Sequence, residues 1–241
     1  MQNGTIYKNI KKEKFMKQIQ SNFLGILIAL AGIFVIIYIS FFATVVKDSF
    51  LHETNRKFYI AEKLQMSDED LDAVTTSMVS FVMGKNDVLQ VEVTMAGIPR
   101  GFFNEKEILH IQDVRDLIQN LRVFIVMCGV VFCIGTFYLW RNGKLIYLAK
   151  GYFVGLLLIL ALVLVVGVFA ITDITAVING FHYLFFDNDL WIMNPMTDKV
   201  VYLFTEDMYL DAIIRIGSCL GGLLVITTIS ALIILKKSRE L

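Results

Sequence analysis

The sequence predicts an all-α membrane protein with four transmembrane helices and a small extracytoplasmic α(+β) cap. Three observations predict it: four uncharged apolar runs, basic residues gathered beside only some of them, and a long polar stretch after the first run. Hydrophobic residues make up 56% of the 241 positions, charged residues 18%, and mean hydropathy is +0.66, more apolar surface than a soluble domain of this size has core to hide. This composition excludes a disordered, collagenous or disulfide-stapled chain. Formal charge is zero, 22 Lys and Arg against 22 Asp and Glu, so no basic excess exists with which to bind nucleic acid.

The first run spans 22–46 and is long enough to cross a bilayer core as a helix. It is too long for a cleaved signal peptide, and no small-residue cleavage site follows. Further spans are predicted at 123–140, 152–172 and 216–235. Basic loops stay in the cytoplasm. The arm 1–21, the turn 141–151 and the tail 236–241 hold eleven basic residues against Glu13 and Glu240, a net of +9, which leaves −9 for the remainder. A multi-pass membrane protein with both termini cytoplasmic is the expectation.

Two segments, 47–122 and 173–215, then face outward, and the first is long enough to fold as a cap. Ser67 before Asp68, Glu69 and Asp70 reads as a helix N-cap with an acidic first turn, and Gly84 as the stop. Leu89, Val91, Val93 and Met95 alternate with polar residues as a half-buried strand does. Gly97, Pro99 and Gly101 predict a turn, and Asn104 with Glu107 a capping box opening a helix that runs unbroken from Glu105 to Trp140. The third span is expected to continue past Asp173, because Ile171, Ile174, Ile178, Phe181 and Phe185 keep helical spacing up to the turn at 187–189.

Residue counting then brings two of the three histidines to one level. His110 lies 30 residues before Trp140 and His182 lies 31 after Gly151, so both stand about 45 Å above the inner turn on neighbouring antiparallel helices. Imidazole titrates nearest neutrality, and a pair at a membrane boundary suits proton movement in ester or amide chemistry. Phe102, Phe103, Phe181, Tyr183, Phe185, Phe186 and Trp191 surround them in sequence, either as an interfacial aromatic belt or as a substrate chamber. His52 reads as structural. Cys128, Cys133 and Cys219 fall within spans and read as small packing residues, and no close-spaced ligand pair predicts a metal or other cofactor.

Two local patterns narrow the reading. NEKEILHIQDVRDLI (104–118), with His110, Asp113, Val114 and Arg115, and GFHYLFFDNDLWIMNP (180–195), with Phe181, His182, Phe185, Phe186 and Trp191, resemble the signature segments of the lipoprotein intramolecular transacylases (Lit). The four-span layout with a large first outer loop is similar too. The stretch 191–204 departs from the family's more acidic, proline-rich pattern, and the N-terminal arm looks longer. The resemblance implies an acyltransferase whose catalytic histidines are His110 and His182. Its substrates would be diacylglyceryl-modified bacterial lipoproteins, held within membrane lipid. Its reaction would carry the sn-2 acyl chain onto the α-amine of the same lipoprotein's N-terminal cysteine, leaving the lyso form. One histidine would act as base and the other as acid, in either order. Asp113, three residues along the helix, would orient an imidazole or lie as a solvated carboxylate. A conduction pathway is disfavoured because the span interiors lack ionisable groups, while a non-enzymatic membrane partner or sensor with an acidic cap remains the alternative.

Overall fold

The structure is a computed structural model that describes residues 2–45, 48–238 and 240. Val46, at the end of the first predicted span, and Arg239, in the basic tail, lie outside the described residues. In chain order the elements are α1 (Gln2–Thr44), α2 (Asp48–Lys57), α3 (Ile60–Leu64), α4 (Asp68–Val82), β1 (Glu92–Met95), β2 (Ile98–Gly101), α5 (Glu105–Arg141), α6 (Leu145–Thr172), α7 (Ile174–Phe185), α8 (Val200–Leu203) and α9 (Glu206–Lys237). Within α1, α5, α6 and α9 lie the four stretches long and apolar enough to cross a membrane, of 35, 37, 28 and 32 residues. Their apolar side chains largely point outward, as with Leu157 and Leu164 of α6, each 68% exposed, which water would penalise and lipid does not. Cys128, Cys133 and Cys219 are free thiols.

The chain divides into two compact units. One comprises residues 1–38, 125–168 and 221–241, and its regular secondary structure among the described residues is all helical. Small residues let its helices approach: a Cβ built on Gly25 would stand 2.2 Å from the Tyr147 carbonyl oxygen, and one on Gly151 would stand 2.4 Å from the Gly25 backbone. Tyr152 fills the adjoining space with Ala29, Ile33, Ala149 and Ala231, and its hydroxyl bonds Thr228 at 2.8 Å and Thr227 at 3.0 Å. Backbone cannot move aside as a side-chain tip can. Gly151→Leu is therefore expected to force α1 and α6 apart and lower the thermal midpoint of the detergent-solubilised protein by more than 5 °C, read by a thiol-reactive dye on the buried Cys128. An unchanged midpoint would show that the close approach carries no stability.

The other unit comprises residues 39–124 and 169–220. Ser67 caps α4 by accepting from the Asp70 N–H at 3.0 Å, and Gly84, at φ +72°, ends it. β1 and β2 form an antiparallel hairpin with Met95 opposite Ile98. Its two-residue turn is Ala96–Gly97, both at positive φ, the geometry that suits a hairpin's twist. Pro99 and Gly101, expected in the turn, belong instead to β2. Pro99 pairs with Thr94, the position next to the turn-flanking pair, where a ladder needs no N–H from it. Leu71, Val74 and Met78 of α4, Phe50 and Leu51 of α2, Leu89, Val93 and Phe102 build the core.

The third span does not continue unbroken into its outer extension. Asp173 is non-helical, at φ −157° and ψ 89°, and its carboxylate accepts from the Ala176 N–H at 2.9 Å, starting α7 afresh. Apolar periodicity runs through this point, but a short acidic side chain competes for the backbone and re-caps the helix. At α5 the expected capping box is present: the Asn104 N–H donates to Glu107 Oε2 at 2.7 Å and the Glu107 N–H to Asn104 Oδ1 at 2.9 Å.

Candidate active site

That box fixes the phase of α5 within the second unit and sends Glu107 inward, where it is fully buried. Its Oε1 accepts from the Val200 N–H at 2.7 Å, so one carboxylate ties the start of α5 to α8. His110 follows three residues later. Across from it His182 sits in the last turn of α7, whose capping residue Phe186 donates its N–H to the His182 carbonyl at 2.8 Å.

The two imidazole centroids are 6.0 Å apart, with planes tilted by 35°. Phe186 touches both, 5.5 Å from His110 and 5.6 Å from His182. Trp191 stacks on His182 at 4.6 Å and 21°, and Phe181 meets the same ring edge-on at 5.5 Å. Aromatic faces on three sides thus hold the His182 ring plane. Its rotation is set by Nδ1, 2.8 Å from the Ile178 carbonyl. A carbonyl only accepts, so Nδ1 carries the hydrogen, and in the neutral ring Nε2 is left with its lone pair. His110 differs: its Nδ1 is buried without a hydrogen-bond partner among the described residues, as is Trp191 Nε1. Buried polar atoms are normally paired, and these two lie together at a ring cluster.

Both histidines open onto a cavity of about 510 Å³ walled by aliphatic side chains of α4 and α5, with α1, α7, α8 and α9 contributing. Among the residues singled out from sequence, His110, His182 and Phe181 line this space. Phe186 and Trp191 back the histidines, and Phe185 meets Phe181 at a tilt of 46°, with ring centroids 4.8 Å apart. Phe102 and Phe103 do not belong to the chamber. Phe102 is fully buried in the core of its own unit, with Phe103 against it at 4.9 Å. Arg115 turns away from the histidines to bond the Asn86 carbonyl and Asp87, each at 3.0 Å, with its guanidinium over Phe81. Asp113 accepts from Asn188 at 2.9 Å, joining α5 to the segment after α7, and makes no hydrogen bond to His110 among the described residues. His52 lies between Asp72 and Thr76, holding α2 to α4.

Sequence reasoning missed two contributors. The α4 wall, Met78, Val79, Val82 and Met83, carries only the signal of an apolar helix face, which names no partner. The latch role of Glu107 was hidden behind its legitimate reading as a cap.

The sequence profile of the lipoprotein intramolecular transacylases, Lit, matches residues 26–209, which includes both histidine segments. The chain belongs to the Lit family. It is an acyltransferase, and a multi-pass membrane protein. No curated protein matches its sequence. Among solved structures, the fold is similar to that of the membrane-integral lipoprotein intramolecular transacylase Lit from Bacillus cereus, at 16% identity and a TM-score of 0.75, over 93% of this chain and 100% of that one. Two variants of that protein, with a histidine replaced by alanine or by arginine, match equally well in fold, each at a TM-score of 0.75 over 95% of this chain and 100% or 98% of theirs, at 15% and 16% identity.

Proposed function

We propose that this family member carries the sn-2 acyl chain of a lipoprotein's diacylglyceryl group to the α-amine of the same molecule's N-terminal cysteine. The observation that carries the reading is the pair of imidazoles 6.0 Å apart at the wall of an apolar cavity. That separation leaves room for one tetrahedral carbon between two proton-moving groups. The amine attacks the ester carbonyl through a ring of eight atoms, so nucleophile and ester already belong to one molecule. A chamber that holds the ring in an attack-ready shape removes several kcal/mol of ordering from the barrier.

Proton movement follows from the hydrogen bonds. His182, its Nδ1–H engaged by the Ile178 carbonyl, offers Nε2 as the base that takes the amine proton. An α-amine has a reference pKa of about 7.7 to 8.0, so one imidazole suffices. His110 supplies a proton to the departing glyceryl oxygen. One N–C bond forms, one C–O bond breaks, and one proton passes from nitrogen to oxygen overall. The basic arm, turn and tail favour cytoplasmic termini and an outward-facing site.

The test expresses the chain in cells lacking every other lipoprotein N-acylation, with mass spectrometry of a reporter lipoprotein. The expected product has unchanged mass, an acylated amine and a free glyceryl hydroxyl. A reporter that keeps its free amine would refute the reading.

A further inference from the structure

The cavity beside the histidines has a direction and an end. His110 is its first lining residue along α5 and Ile118 its last, eight residues or about 12 Å farther, with Ile111 and Val114 between them on the same helical face. Opposite, α4 contributes Met78, Val79, Val82 and Met83 through its final turns. Immediately past Ile118 the two helices are stitched together. Gln119 donates to the Val82 carbonyl at 3.0 Å, and Arg122 donates to the Met83 carbonyl at 3.3 Å. Gln119 also packs 3.3 Å from where a Cβ on Gly84 would stand. The trough therefore runs from the imidazoles to a floor at Ile118.

Its size selects the occupant. A cavity of about 510 Å³ lies within the size range of pockets that hold one small ligand, and its apolar walls suit a single acyl chain. We propose that this chamber binds the migrating sn-2 acyl chain alone, leaving the sn-1 chain in bilayer lipid, and that Ile118 at its floor sets the longest chain transferred. The proposal rests on the transfer reading above. A chain that fits ends at Ile118 with its ester between the histidines. A longer one meets the stitched helices and pushes the ester out of register, where a displacement of about 1 Å is costly to rate.

The experiment uses the full-length protein in phosphatidylglycerol vesicles with synthetic diacylglyceryl-cysteine peptides. Either the sn-2 chain is varied over 8, 12, 16 and 20 carbons with sn-1 fixed, or the reverse, and N-acylated product is measured by mass spectrometry. Ile118→Trp is expected to raise the ratio of C8 to C16 turnover at least tenfold. Ile118→Ala, which shortens the side chain, is expected to move the ratio of C20 to C16 the opposite way and serves should the tryptophan variant fail to fold. Varying sn-1 is expected to leave both ratios within twofold. Unchanged sn-2 ratios in both variants, or equal sensitivity to sn-1, would overturn the gauge while leaving the transfer reading intact. No N-acylated product from the unaltered protein with any chain would overturn both.

Discussion

His182→Ala is expected to lower the rate of N-acylated product formation by roughly 10² to 10⁴-fold, the ordinary worth of a positioned general base. The ring removed is the most constrained in the site, held by the Ile178 carbonyl at 2.8 Å and by the Trp191 face at 4.6 Å. His110→Ala is expected to cost a similar factor, because the glyceryl alkoxide leaves poorly without a proton. Since base and acid serve one passage, the double variant is expected to lose little more than the worse single one. Multiplying losses would mean that the rings act in separate steps, and normal yield from either single variant would remove that ring from the mechanism. Intact protein in the membrane fraction, checked by size-exclusion chromatography in detergent, separates lost chemistry from lost folding.

What was legible from sequence follows the range of the interaction. The Ser67 cap, the Gly84 stop and the Asn104–Glu107 box are decided within four residues, and each appears as read. The four long helices are equally legible, because a bilayer demands apolar length regardless of tertiary detail. Where a single polar residue outweighs a pattern, the reading fails: Asp173 interrupts a periodicity that five apolar residues sustain. Aromatic residues near an interface carry no direction, which is why Phe102 and Phe103 read as chamber walls although Phe102 is a core residue at 0% exposure. Residue counting brought His110 and His182 level, and the catalytic roles proposed for them rest on the family resemblance. The partner of each remaining charge is a tertiary fact: Asp113 with Asn188, Arg115 with Asp87, Glu107 with Val200.

Glu107→Ala is expected to cost roughly 2 to 4 kcal/mol, since it leaves the buried Val200 N–H and the Asn104 N–H without their acceptor, although the Asn104 side chain still caps α5. The unit that holds the histidines would lose its tie between α5 and α8 one turn from His110, so transfer should fall along with the thermal midpoint. Glu107→Gln keeps a carbonyl oxygen for one of the two N–H groups and is expected to recover about half the loss. Asp198 works beside it and makes the latch sensitive to acid. Its carboxylate is buried, which by itself would raise its pKa, but the Asn194 N–H at 2.7 Å, the Asn104 amide and Thr197 hydroxyl at 3.0 Å each, and the nearby Lys106 outweigh burial and hold it below the ordinary 3.8. A carboxyl depressed on folding stabilises the fold at any pH above its unfolded value and loses that contribution as pH falls through the folded one. The unit is therefore expected to keep its midpoint from neutrality down to about pH 4 and to weaken below it, and Asp198→Asn to flatten that acid limb at the expense of stability at pH 7. An acid limb unchanged in the asparagine variant would place the titration in another carboxylate and free Asp198 from the latch.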